Sequence, residues 1–420
     1  MNLILTNIKQ LVTISSKFNT PNRERTRIGA AMRNLGIIED AALIIQDGYI
    51  SWYGKMIEMQ IADIDKNIDE FDCSGKVVMP GFVDSHTHLV FGGSREEEFA
   101  MRSAGATYQE IAEKGGGILN SVRNTRKASK KDLKKPARKY LNAMLRQGTT
   151  TVEIKSGYGL DMDTEIKMLE AIKELQEEEI IRIVPTFIGA HAIPPEYKNQ
   201  PDEYVKLVCE RMIPYIGQRK LADFCDVFCE KGYFTVEDSE KILNKGKEFG
   251  LLPKIHADEL NPFGGAELAG RIGALSADHL EHISDEGIEA LKQAGVVAVL
   301  LPGVSFFLNH QYAPARKIID NGVPVAIASD FNPGSCMSYS MQLMMTIACT
   351  HMRMSPEEVI TASTINAAAA LNLSDEIGSI DVGKRGDVII LDIPNYKFLP
   401  YHFGENHVYR VVKNGVLLEF

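Results

Sequence analysis

The sequence predicts an α/β protein: a (β/α)8 barrel of the TIM type, joined to a small β-sandwich domain built from both chain termini. Three observations point there. Eight short apolar runs of strand type alternate with helical patterns through the middle of the chain, over about the length that a closed eight-unit barrel needs. Side chains suited to chemistry fall at the C-terminal ends of those runs, where such a barrel carries its active site. The two termini read instead as β hairpins with no core-sized stretch of their own. The expected division is 1–79 and 373–420 for the composite β domain and 80–372 for the barrel.

Near the N-terminus, Ala42 to Gln46 and Tyr49 to Tyr53 flank Asp47-Gly48, a two-residue turn signal that matches the twist of paired strands. The first barrel run, Gly81-Phe82-Val83-Asp84-Ser85-His86-Thr87-His88, ends in His-x-His, and a period of two puts both imidazoles on one face. A basic stripe follows, with Arg126/Lys127, Lys130/Lys131, Lys134/Lys135 and Arg138/Lys139 recurring every four residues. Leu133, Ala137, Leu141 and Leu145 would face inward, so the stripe reads as a solvated helix face, and Pro136 should kink or interrupt that helix. Further strand-like runs end at Lys155, His191, Glu230, His256, His279, Pro302 and Asp330. Helical spacing marks Asp163 to Glu179 and Thr235 to Phe249, and Ser355-Pro356-Glu357-Glu358 is a capping box with proline at the first helical position. Asp387 to Leu391 is strand-like, and Val408 to Val412 and Val416 to Leu418 flank Asn414-Gly415, the second hairpin signal.

Composition narrows the function classes. Of 420 residues, 45% are apolar and 24% charged, as in an ordinary soluble globular protein, and the net charge of -10 argues against nucleic acid or an anionic membrane as partner. A small anionic substrate stays open, because one arginine can hold a carboxylate. The apolar strand-like run Val296 to Leu301 is too short to span a bilayer, and Met1 to Thr6 has neither the basic nor the long apolar region of a signal peptide. Six cysteines are scattered without a paired framework, and Cys225 and Cys229 read as buried thiols. A cytoplasmic protein with a small-molecule partner is the expectation.

Taken singly, His256 or His279 could be a satisfied core histidine, the His86-x-His88 spacing could arise by chance among ten histidines, and Asp330 could cap a helix ahead of the turn Asn332-Pro333-Gly334. Together at strand ends, His86, His88, His256 and Asp330 read as ligands to one divalent cation with a position left for water. Such a cation lowers the pKa of that water from about 15.7 towards about 7. Glu259, three residues after His256, and His279 are candidates for the proton transfers and oxyanion stabilisation, with Asp330 beside them. His282 is assigned a structural role.

At these positions the chain resembles the metal-dependent amidohydrolase superfamily over nearly its whole length, including the split β domain and the lead-in Pro80 to Asp84. Dinuclear members carry a carboxylated lysine at the end of the fourth strand. Here Cys229-Glu230-Lys231 stands there and Lys155 lies on the second strand, so the resemblance implies a single metal, zinc or iron. The His-x-x-Glu spacing is similar to that of superfamily deaminases, whose glutamate shuttles protons. Five segments (Phe91 to Glu96, Glu153 to Leu160, Gly189 to Pro194, His256 to Glu259 and Ser329 to Ser335) look like the branch that hydrolyses the ring amide of 4-imidazolone-5-propanoate to N-formimidoyl-L-glutamate in histidine degradation. Ser335 stands where many relatives have threonine. The resemblance implies that Arg95 holds the propanoate, that Tyr158, His191 and Glu259 contact the ring, and that Asn332, Gly334 and Ser335 offer amides and a hydroxyl. It also implies a homodimer. Arg95 could instead pair with Glu96 to Glu98, and Tyr158 could pack on the rim. Another cyclic amidase, a nucleobase-type deaminase or a non-catalytic barrel are the alternatives.

Overall fold

A computed structural model describes residues 2–15, 25–60, 68–106, 110 and 115–420. The N-terminal part contributes β1 (Leu3–Val12), β2 (Ile37–Gln46), β3 (Tyr49–Lys55), β4 (Asp69–Asp72) and β5 (Val77–Pro80). The barrel strands are β6 (Phe82–Asp84), β7 (Thr149–Lys155), β8 (Arg182–Ala190), β9 (Phe224–Cys229), β10 (Leu252–Ala257), β11 (Ser276–His279), β12 (Val297–Leu300) and β13 (Val325–Ile327). The chain ends with β14 (Val388–Leu391), β15 (Val408–Lys413) and β16 (Val416–Leu418).

Strands β6 to β13 pair in chain order, every neighbour parallel, as the alternating pattern requires. The ring closes just beyond its strand ends. Thr87 and Phe331 form a parallel bridge. The Asp330 N–H donates to the His86 carbonyl at 3.0 Å, and the His88 N–H to the Phe331 carbonyl at 3.0 Å. Below them, the Ser329 N–H and hydroxyl both donate to the buried Asp84 carboxyl, at 3.0 and 2.5 Å. His86 and His88 therefore lie past the end of β6 rather than on it, yet keep the strand alternation through this seam.

The terminal strands form one continuous mixed sheet in the order β16-β15-β14-β5-β1-β2-β3, with β4 also paired to β1. β5 against β14 is the joint between the two ends of the chain. Alternation assigns the two faces: Leu5, Leu43, Ile45, Ile390 and Val412 enclose a small core of their own, while Val77, Met79, Ile389 and Val411 join the barrel core. The sheet folds round until its two hairpin turns touch. Asp47, Gly48, Asn414 and Gly415 have φ of 51°, 82°, 52° and 77°, the left-handed conformation that two-residue hairpins demand.

Helices Met162–Glu178 and Val236–Glu248 fall within a residue of their sequence patterns, and both bonds of the Ser355/Glu358 capping box are present. Pro136 does not interrupt the helix in which it sits. Helix Lys130–Arg146 runs through it, and the break comes earlier, where Ser129 and Asp132 form a capping box. The hydrogen bond lost to proline is offset by burial of Leu133, Ala137, Leu141 and Leu145 against the barrel. On the outer face, Lys134 reaches Glu174 at 2.7 Å and Arg138 reaches Glu179 at 2.6 Å, an ion-pair ladder to helix Met162–Glu178. Cys225 and Cys229 are buried free thiols on β9. No helix among the described residues is long and apolar enough to cross a membrane.

The chain passes from the terminal sheet into the barrel at Gly81, where a Cβ would lie 2.3 Å from Thr150 Cγ2 and 2.4 Å from Thr150 Oγ1. Gly81→Ala should cost about 1–3 kcal/mol by overpacking. Denaturant unfolding should show a lower midpoint with an unchanged slope; wild-type stability would mean that this junction has room to spare.

Candidate metal centre

Four side chains that sequence places far apart meet at the barrel mouth. His86 Nε2 lies 3.5 Å from Asp330 Oδ1, His88 Nε2 lies 3.7 Å from the same oxygen, and His88 Nε2 is 3.4 Å from His256 Nε2. Donors at 2.0–2.2 Å around a tetrahedral cation stand about 3.4 Å apart. His86 Nε2 and Asp330 Oδ1 are buried without a hydrogen-bond partner among the described residues, a costly arrangement unless a cation fills the space between them. The donor set and the spacing fit one divalent ion.

The imidazoles are held from below. His86 Nδ1 donates to Asp278 at 2.6 Å and His256 Nδ1 to Asp226 at 3.0 Å, which leaves each Nε2 lone pair aimed at the centre. Burial keeps His86 and His88 well below the usual histidine range, so both are neutral, the form that binds metal. Lys155 Nζ lies 2.8 Å from Asp226 and 2.9 Å from Glu153, and Lys254 Nζ donates to the Ser85 carbonyl at 3.0 Å and pairs with Glu153 at 3.2 Å. Hydroxyls complete the set, Thr186 to Glu153 at 2.5 Å and Ser276 to Asp278 at 2.6 Å. All five charged groups are buried. Burial would raise the Asp226 carboxyl, but His256 and Lys155 outweigh it and hold that group well below the carboxylate range. Burial likewise opposes the charge on Lys155, and Asp226, Glu153 and Asp278 overcome it.

The sequence places Lys155 on the second strand but does not by itself reveal this floor. A signal existed: Glu153, Lys155, Asp226, Lys254 and Asp278 are charged positions inside apolar strands, alternating with Ile154 and Ile255. Such residues on fully buried strands must point into the barrel.

Above the centre opens a cavity of about 880 Å³ lined by Arg95, Tyr158, His191, Glu259, His279 and the loop 332–335, among others. Burial pushes the Glu259 carboxyl up to about 7 and that of Asp330 up to about 8. Glu259 is held in place by its neighbours: Glu230, at the end of β9, accepts from the Leu260 N–H at 2.9 Å and from Asn261 Nδ2 at 3.0 Å. Asp258 accepts from the N–H groups of Phe263, Gly264 and Ala266 at 2.8, 2.9 and 2.9 Å, which starts the following helix. His279 Nε2 stands 3.6 Å from Glu259 Oε2, and burial keeps the ring neutral. His191 stacks on His88 with ring centroids 4.8 Å apart, and its Nδ1 donates to the Gly157 carbonyl at 3.1 Å, leaving Nε2 as an acceptor. Tyr158 is buried beside both rings, and burial keeps its hydroxyl protonated. His282 lies outside this cavity, its N–H bonded to the Asp258 carbonyl.

Two rim elements differ in detail from their sequence reading. The N–H groups of Gly334 and Ser335 donate to Asn332 Oδ1 at 2.7 and 2.8 Å, and Asn332 Nδ2 donates to the Asp330 carbonyl at 2.8 Å, so the loop is braced by its own asparagine. Arg95 lines the cavity and also pairs with Glu98 at 2.7 Å.

The amidohydrolase family model matches residues 77–418. An imidazolonepropionase of Porphyromonas gingivalis is 49% identical over 416 residues, covering 99% of this chain and 97% of that protein. One from Clostridium tetani is 49% identical over 414 residues, again covering 99% and 97%. The chain belongs to the amidohydrolase family, in its imidazolonepropionase branch. Guanine deaminase of Escherichia coli, a more distant amidohydrolase-like structure at 14% identity, shares the fold with a TM-score of 0.74 over 100% of this chain and 99% of that one. Membership in the amidohydrolase family and the His/Asp clusters at the barrel mouth both support a metal site here.

Asp226→Asn and Asp278→Asn should each lower metal affinity by about 10–100-fold, because the ligating rings lose their orienting acceptor. Competition against a fluorescent chelator reads this directly, and wild-type affinity in both variants would remove the floor from the account.

Proposed function

We propose that the chain hydrolyses the ring amide of 4-imidazolone-5-propanoate to N-formimidoyl-L-glutamate, the third step of histidine degradation. One observation carries the reading: His86, His88 and Asp330 stand within ligand reach of one another, with His256 Nε2 3.4 Å from His88 Nε2, under a cavity with a guanidinium, Arg95, on its rim. The near-half identity to imidazolonepropionases along the whole chain supports the same substrate.

The three histidines and Asp330 would hold one divalent ion, zinc or iron. That ion supplies Lewis acidity, making water a nucleophile at neutral pH and polarising a carbonyl. The remaining steps belong to the protein. Glu259, with a carboxyl at about 7, exchanges protons readily near neutrality. It accepts a proton from the attacking water and returns it to the ring nitrogen as the C–N bond breaks, so the carbonyl carbon gains a hydroxyl and the nitrogen leaves protonated. Neutral His279, beside Glu259, hydrogen-bonds the carbonyl oxygen as charge develops on it. Asp330 acts as a second acceptor for the water proton through the oxygen not aimed at the histidines. Arg95 holds the propanoate, His191 Nε2 accepts from a ring N–H, and the Tyr158 hydroxyl donates to the ring. Residues Asn332, Gly334 and Ser335 line the cavity beside Arg95. The homodimer implied by the resemblance and the cytoplasmic location expected from the scattered cysteines belong to the same proposal.

A nucleobase-type deaminase would use the same ligands but has no task for Arg95. The test is loss of imidazolonepropanoate absorbance with purified, metal-loaded protein. Turnover should disappear with chelator and return with metal, and His256→Ala should lose metal and activity together. No turnover by the metal-replete wild type would overturn the assignment. Glu259→Gln should lower kcat by about 10²–10⁴-fold with metal content intact. Arg95→Ala should chiefly raise KM, and unchanged apparent affinity would refute its carboxylate role.

A further inference from the structure

Helix Glu96–Ser103, together with Arg95 at its N-cap, presents Arg95, Glu98, Phe99 and Arg102 to the cavity. Their spacing of three, one and three residues makes a single helical stripe. The stripe is fastened across the mouth: the Phe99 ring stacks on Phe307 with centroids 5.2 Å apart, and the Arg102 guanidinium lies 5.0 Å from the Phe307 centroid. Within it, Glu98 is a buried carboxylate that accepts four hydrogen bonds among the described residues. Its Oε2 accepts from Arg95 Nε at 2.9 Å, from Arg95 Nη2 at 2.7 Å and from the Gly117 N–H at 3.0 Å, and its Oε1 accepts from Asn120 Nδ2 at 3.0 Å.

An acidic group gripping the arginine that should bind an anionic substrate looks counterproductive for charge. Its value is geometric. With Nε and Nη2 committed to Glu98, the guanidinium plane is fixed and Nη1 is left facing the 332–335 loop. Gly334 confirms how tight that placement is, since a Cβ there would lie 2.1 Å from Arg95 Nη1. Arg102, which forms no salt bridge among the described residues, offsets the Glu98 charge within the stripe.

We propose that Glu98 is the positioning residue of the carboxylate subsite: it clamps one edge of Arg95, anchors that edge to Gly117 and Asn120, and so presents the Nη1 edge to a carboxylate on the ligand. This rests on the substrate reading above only for the identity of the ligand, and the chemistry recognised is a carboxylate on a short chain attached to a planar ring. Removing Glu98 frees a rotamer-rich side chain that binding must then immobilise, which corresponds to about a threefold to tenfold loss of affinity.

The experiment uses the full-length, metal-loaded enzyme and its Glu98→Ala, Glu98→Gln, Arg95→Ala and Arg95→Ala/Glu98→Ala variants. Binding of 3-(imidazol-4-yl)propanoate, which has no ring carbonyl to hydrolyse, is measured by calorimetry beside imidazolonepropanoate kinetics and metal content. Glu98→Ala should weaken the probe and raise KM threefold to tenfold with kcat within twofold and metal retained, Glu98→Gln should fall between it and wild type, and the double variant should bind no worse than Arg95→Ala. Wild-type probe affinity in Glu98→Ala, additive losses in the double variant, or an equal fall in kcat would each overturn the proposal. If Glu98→Ala fails to fold, Glu98→Gln decides, and wild-type affinity there counts against it. A wild type that binds the probe through Glu98 but leaves imidazolonepropanoate intact would instead sink the reaction assigned above.

Discussion

The seam between the first and last barrel strands is the constraint on which the site depends. His86 and His88 follow β6, Asp330 follows β13, and the two segments are sewn together by the hydrogen bonds Asp330 N–H to His86 O and His88 N–H to Phe331 O. The same backbone contacts that close the barrel therefore fix three ligand-capable side chains against each other. Parallel strands place all their C-terminal ends on one side, so His256 and His279 arrive at the same mouth from β10 and β11 without further design. Chemistry and closure share one set of residues, which ties the integrity of the centre to that of the fold.

Beneath the seam lies an unusual concentration of buried charge. Glu153, Asp226 and Asp278 face Lys155 and Lys254, and taking each ion out of water costs several kcal/mol before pairing offsets it. Three carboxylates against two ammonium groups leave the floor one negative charge in surplus. Two of those carboxylates hold the His86 and His256 rings in the tautomer that offers Nε2 upward. A divalent cation above completes the charge balance, so metal binding and barrel stability are coupled through this layer.

The strand ends were legible because fully buried parallel strands are short apolar runs, and the hairpins because Asp-Gly and Asn-Gly suit left-handed turns. His-x-His was legible because the strand period alone decides its geometry. What escaped was whatever depends on cross-strand register. The partner of His86 is Asp278, 192 residues away, and nothing local to either announces the pairing. The composite terminal domain was legible as two β segments without cores of their own; the pairing of β5 with β14, which joins them into one mixed sheet curled round its own core, was not. Of the kink or interruption expected at Pro136, the interruption does not occur, because packing of the residues around it outweighs one lost hydrogen bond. The loop 332–335 was read as donating amides to a ligand, and its asparagine takes up two of them first. Glu98 appeared only as a surface alternative for Arg95; the helix instead buries it against Gly117 and Asn120.

Anomalous diffraction recorded at the absorption edge of the bound metal is the most direct measurement of the central claim. A single peak should stand 2.0–2.2 Å from the Nε2 atoms of His86, His88 and His256 and from an Asp330 carboxylate oxygen. A crystal of active enzyme with no peak at that point, or with its metal bound to other side chains, would contradict the account.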